Sequence, residues 1–163
     1  MALFAFAIGC FFAALFFRDL VAVGRLLVKA LFLFSVISCQ ASVVTDGFLD
    51  RLAHVESNNR ANAIGDHGQA RGAYQIKRVA WADVNRKQKT AVPFSMATNA
   101  VISRQFARSY LGLLESYLAA TTRKPVSPES LYCAWNLGPR GFRRCGFSLK
   151  RCPKKTRRAA EGF

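Results

Sequence analysis

Glu56 ends an apolar helical repeat and is followed by Ser57, Asn58 and Asn59. Asparagine tolerates the left-handed conformation that commonly stops a helix, so this carboxylate is expected at a helix C-terminus, where the macrodipole opposes its ionisation. A carboxylic acid kept protonated near neutral pH can serve as a general acid. Two further stretches carry side chains suited to a polar ligand. Gly72-Ala73-Tyr74-Gln75-Ile76 follows a glycine-rich loop, and Ala134-Trp135-Asn136-Leu137-Gly138 lies near a second helix end. Asp66 and Asp83 are the nearest candidates for a second carboxylate. Taken singly, each residue also has a structural use: Gln75 and Asn136 can cap backbone groups, Trp135 and Tyr74 can be core aromatics, and Ser57 can simply end its helix.

These residues need elements to hold them. Thr45 or Asp46 caps a helix of about three turns, in which Phe48, Leu49, Leu52, Ala53 and Val55 recur at helical spacing. Residues 58 to 73, with Gly65, Gly68 and Gly72, read as a loop or small hairpin. Helix resumes around Val79 to Arg86. After Pro93, Ser95 caps a longer helix whose stripe is Ala97, Val101, Ile102, Ala107, Tyr110, Leu111, Leu114 and Leu118. A further helix starts at Ser127-Pro128-Glu129 and stops at Gly138. No alternating segment is long enough for a substantial sheet. The expectation is a mainly α domain over residues 40–147, with an irregular loop or small hairpin inserted.

The three stretches together resemble the lytic transglycosylase (SLT-type) domain of the lysozyme-like superfamily, which is related to goose-type lysozymes. That family pairs an E-S dipeptide with a downstream G-x-M-Q-[IL] and a later A-Y-N-x-G. The order and helical context match over about residues 44 to 142, and the loop carrying Gly68-Gln69-Ala70-Arg71-Gly72 is also similar. The resemblance implies a lysozyme-like fold and cleavage of the β-1,4 bond between N-acetylmuramic acid and N-acetylglucosamine in peptidoglycan. Glu56 then aligns with the catalytic acid. Ser57, Tyr74, Gln75, Trp135 and Asn136 align with residues of the substrate cleft, and no cofactor or metal is implied. Tyr74 stands where Met is usual. Trp135 replaces the usual Tyr, which removes a phenol that could bond the acid or the substrate.

Most glycosidases use a second carboxylate. If neither Asp66 nor Asp83 takes that role, the substrate's N-acetyl group can stabilise the anomeric centre, and its 6-hydroxyl can attack to give a 1,6-anhydro product. Lytic transglycosylase is therefore preferred, with a lysozyme-type hydrolase or a non-catalytic wall-binding protein as alternatives.

The chain has 163 residues, which leaves room for one domain plus flanking segments and excludes a large multidomain enzyme. Met1 to Phe17 is uncharged and apolar. A second apolar block, Ala30 to Ser38, follows Arg25 and Lys29 and precedes Cys39, Gln40, Ala41 and Ser42, which resembles a secretory signal. Residues 1–39 are expected to be a signal or anchor region, placing the protein in the bacterial envelope, periplasmic or membrane-tethered. Val36-Ile37-Ser38-Cys39 also resembles a lipobox, which would put lipid on Cys39.

Lys and Arg outnumber Asp and Glu by 24 to 9, and from Gln40 onward by 21 to 8. Such an excess suits anionic wall polymers or a membrane surface beside the glycan strands, with no specific nucleic acid expected. Residues 148–163, with Lys150, Arg151, Lys154, Lys155, Arg157 and Arg158, read as a basic tail. Of the three remaining thiols, Cys145 and Cys152 are the preferred disulfide pair, and Cys133 reads as a buried thiol. A zinc site is disfavoured, because the short C-x₂₋₄-C ligand pair is missing and only His54 and His67 could assist.

Overall fold

Apolar stripes on five helices converge on one core in the computed structural model, which describes residues 41–163; the signal, anchor and lipidation expectations for residues 1–39 lie outside the described residues. Helix α1 spans Asp46–Ser57. Thr45 Oγ1 accepts from Phe48 N at 3.1 Å, and Asn58 closes the helix in the left-handed conformation, as its sequence predicts. Phe48, Leu49, Leu52 and Ala53 face inward, whereas Val55 is 36% exposed and stands off the core.

Between α1 and the next helix the chain forms three strands of two residues each: β1 (Ile64–Gly65), β2 (Ala70–Arg71) and β3 (Ile76–Lys77). They pair antiparallel in the order β1-β2-β3, with Gly65 opposite Ala70 and Arg71 opposite Ile76. The expected hairpin is thus a miniature sheet, too short to show an alternating pattern. Gly72 leaves β2 at φ +78°, and its N–H donates to Ala63 O at 2.9 Å. A Cβ there would lie 1.9 Å from Ala97 O. Gly72→Ala combines left-handed strain with a backbone collision, so a loss of about 2–4 kcal/mol is expected. Urea unfolding should show the midpoint falling at constant slope.

Helix α2 (Arg78–Gln88) supplies Trp81, stacked on Phe106 at 3.8 Å between centroids, with its indole N–H donating to Val92 O at 2.8 Å. Helix α3 (Ala100–Thr122) is the central element and packs against α1, α2 and α4. Its cap is Asn99, whose Oδ1 accepts from Val101 N and Ile102 N; Ser95, the expected cap, lies in a preceding 3₁₀ turn over Phe94–Thr98. Tight turns take up Ser95 first: Met96 N donates to Pro93 O at 3.0 Å and Asn99 N to Met96 O at 2.9 Å before α-helical geometry begins.

Helix α4 (Pro128–Arg144) begins at the Ser127 cap, and its first run ends at Gly138 as expected. Gly138 breaks it at φ 72°, ψ 161°, and Pro139, pre-set for a helix start, relaunches the helical run to Arg144. A short helix α5 (Lys154–Ala160) then returns onto α4.

Residues 148–163 are therefore part of the domain, which corrects the reading of this segment as a tail. Cys152, Thr156 and Ala160 are buried, and the Phe163 ring lies 4.7 Å from Tyr132 and 4.8 Å from Phe48. The apolar residues sit among so many cations that local composition hides them. The disulfide expectation is also corrected: Cys133, Cys145 and Cys152 are free thiols, and the sulfur 3.7 Å from Cys152 Sγ is that of Cys133. The fold of α5 onto α4 brings these two together. No helix among the described residues is long and apolar enough to cross a membrane.

Candidate active site

Glu56 occupies the last turn of α1 because the apolar stripe ends there and Asn58 turns the chain away. Its side chain is largely buried, and Oε1 is withdrawn from solvent with no hydrogen-bond partner. Burial pushes the carboxyl up to about 7. Lys155 and Lys77 pull in the other direction, as does the Tyr132 hydroxyl, while the charge on Asp66 adds to the rise. At neutral pH the group is consequently divided between acid and carboxylate.

The acid opens into a cleft of about 800 Å³. One wall carries Gln75, Ile76, Lys77 and Val79, from the turn before β3 to the start of α2. The other carries Tyr110 of α3, Trp135 and Asn136 of α4, and Lys155 of α5. Trp135 meets Tyr110 edge-on at 5.6 Å, which fixes the indole as part of the wall. Asn136 Oδ1 accepts from Thr156 Oγ1 at 2.7 Å, which ties this cleft residue to α5. Gln75 sits at φ 46° and donates from Nε2 to Gly72 O at 3.0 Å and to Ala63 O at 3.3 Å. It lines the cleft while binding the loop together.

Of the six residues singled out in the sequence, Glu56, Gln75, Trp135 and Asn136 share this cleft, and two do not line it. Ser57 is buried under the helix end, where its hydroxyl bonds Ala73 O at 2.7 Å and accepts from Arg60 N at 3.1 Å. It ties α1 to the segment that carries Gln75. Tyr74 points into the core, with its hydroxyl accepting from Arg104 Nη1 at 3.2 Å; Arg104 in turn pairs with Asp46 at 2.8 Å. The turn explains the difference: Ala73 and Tyr74 are both buried, and the left-handed backbone at Gln75, φ 46°, carries its side chain out of the core before β3 begins.

Three cleft or acid-side residues went unread in the sequence: Tyr132, Tyr110 and Lys155. Tyr132 had a signal, because it precedes Asn136 by four positions and so shares its helix face. Its phenol now stands beside Glu56, and burial together with that charge pushes its own pKa up. The phenol lost at Trp135 thus has a counterpart one turn earlier. Lys155 had no local signal, since only the packing of α5 on α4 brings it to the acid.

Asp66 and Asp83 also line the cleft. Asp66 is exposed and bound by Lys77 Nζ at 2.9 Å, which holds it below the usual carboxylate range. Asp83 pairs with Arg86 at 2.8 Å. No three His, Cys, Asp or Glu side chains converge on a metal position among the described residues. The arrangement offers one carboxyl pushed up to about 7, two carboxylates each paired with a cation, and an aromatic and amide wall for a polar, ring-shaped ligand. No protein-family model matches this chain, and comparisons with curated proteins and with solved structures return no match.

Proposed function

We propose that this protein cleaves the glycan strands of peptidoglycan at the bond between N-acetylmuramic acid and N-acetylglucosamine, as a lysozyme-like enzyme of the lytic transglycosylase type. The observation that carries the proposal is Glu56, a largely buried carboxyl whose Oε1 has no hydrogen-bond partner and which burial pushes up to about 7, in a cleft walled by Trp135, Gln75 and Asn136. In this reading protonated Glu56 gives its proton to the glycosidic oxygen as the C1–O bond breaks. The substrate's N-acetyl oxygen closes on C1 and stabilises the positive centre. The Glu56 carboxylate then removes the proton of the 6-hydroxyl, whose oxygen attacks C1, yielding a 1,6-anhydro end and restoring the acid. No water is consumed. Export to the bacterial envelope and retention there by anionic polymers are part of the same proposal, supported by the basic excess and the N-terminal sequence.

Asp66 favours a second reading. Held ionised by Lys77 on the same cleft, it could instead stabilise the centre or activate water, giving a hydrolase with reducing ends. Mass analysis of fragments from purified peptidoglycan separates the two. Anhydro fragments, lighter by one water, are expected; reducing ends alone would move the reaction to hydrolysis, and intact strands would remove both.

A further inference from the structure

Three thiols take no part in the cleft chemistry. Cys133 lies in the buried run 131–134 of α4, and Cys152 follows the 3₁₀ turn Leu149–Arg151, just ahead of α5. Both are sealed from solvent, at 0% and 5% exposure. The Cys152 thiol donates to Cys133 Sγ at 3.7 Å and to Ser148 O at 3.4 Å. A disulfide holds its sulfurs at about 2.05 Å, so a closure of less than about 2 Å would join α4 to α5. Cys145 is the third member. It is half-buried at the end of α4, and its thiol acts on Cys152 by hydrogen bond and charge and on Cys133 by charge. Among the described residues the three do not converge on a metal position.

We propose that these residues form a thiol relay, in which a disulfide oxidant enters at Cys145 and the oxidation ends as a Cys133–Cys152 bond. Exposure assigns the entry point, because attack on a disulfide is made by a thiolate that can reach it. Burial pushes the Cys133 thiol up to about 12 and raises Cys152 as well, so both stay protonated and out of reach, whereas Cys145 keeps solvent contact. The Cys145 thiolate attacks an oxidant R–S–S–R, forming a mixed disulfide and releasing one R–S⁻. Cys152 Sγ then gives up its proton and attacks Cys145 Sγ, expelling the second R–S⁻. Cys133 Sγ does the same to Cys152 Sγ and returns Cys145 as a free thiol. In sum, two protein thiols lose two electrons and two protons, and the oxidant takes them up as two R–SH. Contact and burial assign the end point, since the inner sulfurs already touch and their bond is hidden from external thiols. The bond would fasten α5 three residues ahead of Lys155 and four ahead of Thr156, which holds Asn136 in the cleft wall. The chemistry needs only the oxidant and does not depend on the glycosidase reading.

The test exposes the reduced full-length protein to oxidised glutathione, alkylates the remaining thiols and maps the peptides without reduction. Cys133–Cys152 should be the bond found in most chains, with Cys145 alkylated. The oxidised protein should melt on the order of 10 °C above the reduced one, because the bond closes a loop of about 20 residues, 133 to 152. Full reduction should reverse the shift. Cys145→Ser should reach the same bond at least about tenfold more slowly, having lost the accessible thiolate. An unchanged rate in that variant would overturn the relay. Three alkylated thiols, a glutathione adduct persisting on Cys145, or any other pairing, with Cys10 or Cys39 included, would overturn the bond itself. None of these readouts uses wall cleavage, so each outcome leaves the glycosidase reading to be decided by its own fragments.

Discussion

Glu56→Gln is expected to slow peptidoglycan cleavage by about 10²- to 10⁴-fold, the usual contribution of general acid catalysis. The amide keeps the shape of the carboxyl but has no proton to transfer at neutral pH, and no other side chain in the cleft combines an acidity near 7 with burial. Binding to the wall should change little. The pH dependence follows from the same carboxyl. The reactive form is protonated, so kcat/KM should be level on the acid side and fall about tenfold per pH unit above 7.

Stability should also fall as pH rises. The folded carboxyl titrates near 7 and the unfolded one near 4.5, so below 4.5 both states are protonated and burial carries no ionic cost. As pH rises from 4.5 to 7 the unfolded state sheds its proton first, and the native state loses stability until the cost is complete above 7. Glu56→Gln removes that cost. At pH 8 the variant should be more stable than the wild type by on the order of 1 kcal/mol once cleft solvent is allowed for, or about 4 °C in melting temperature. A variant that is equally active at pH 6 and no more stable at pH 8 would refute the role of Glu56 on both counts.

Ending the chain at Phe147 is expected to abolish cooperative melting altogether. The deletion removes Phe163 from between Phe48 and Tyr132, together with Ala160, Thr156 and Cys152 from the face of α4. Phe163→Ala alone, at a half-buried ring, should cost about 2 kcal/mol. The full deletion leaves Cys133, Tyr132 and Phe48 without part of their cover and compares with the whole stability of a small domain, about 5–15 kcal/mol. Calorimetry distinguishes the outcomes. A truncated chain that melts as sharply as the full one would mean the segment is dispensable, as its basic composition alone suggests.

That mismatch shows which features were legible in the sequence. Helix α1 could be bounded closely because Thr45 and Asn58–Asn59 mark its ends chemically. The same local chemistry misled at Ser95, a good cap in isolation that a 3₁₀ turn claimed; at Gly138 it marked the break, and only the second run launched by Pro139 went unread. For the site, short motifs supplied the acid and three cleft residues. They could not assign orientation at Ser57 and Tyr74, whose hydroxyls satisfy buried partners supplied by other segments. Lys155 and the contact of Cys133 with Cys152 were beyond reach for the same reason, since each depends on where α5 packs.

The stack of Phe163 on Tyr132 and Phe48 joins the first helix to residues made 115 positions later. A helical bundle usually folds quickly because its contacts are local, and long-range closures slow it. Here the contact that covers the Tyr132 face beside Glu56 is among the most distant in the described chain. Helices α1 to α4 can gather early, but the acid acquires its final surroundings only when residues 154–163 dock. A chain in which that segment has not docked therefore carries Glu56 closer to solvent, with an acidity closer to that of a free glutamate. The shifted acidity of Glu56 is in this sense a property of the finished fold and not of helix α1 alone.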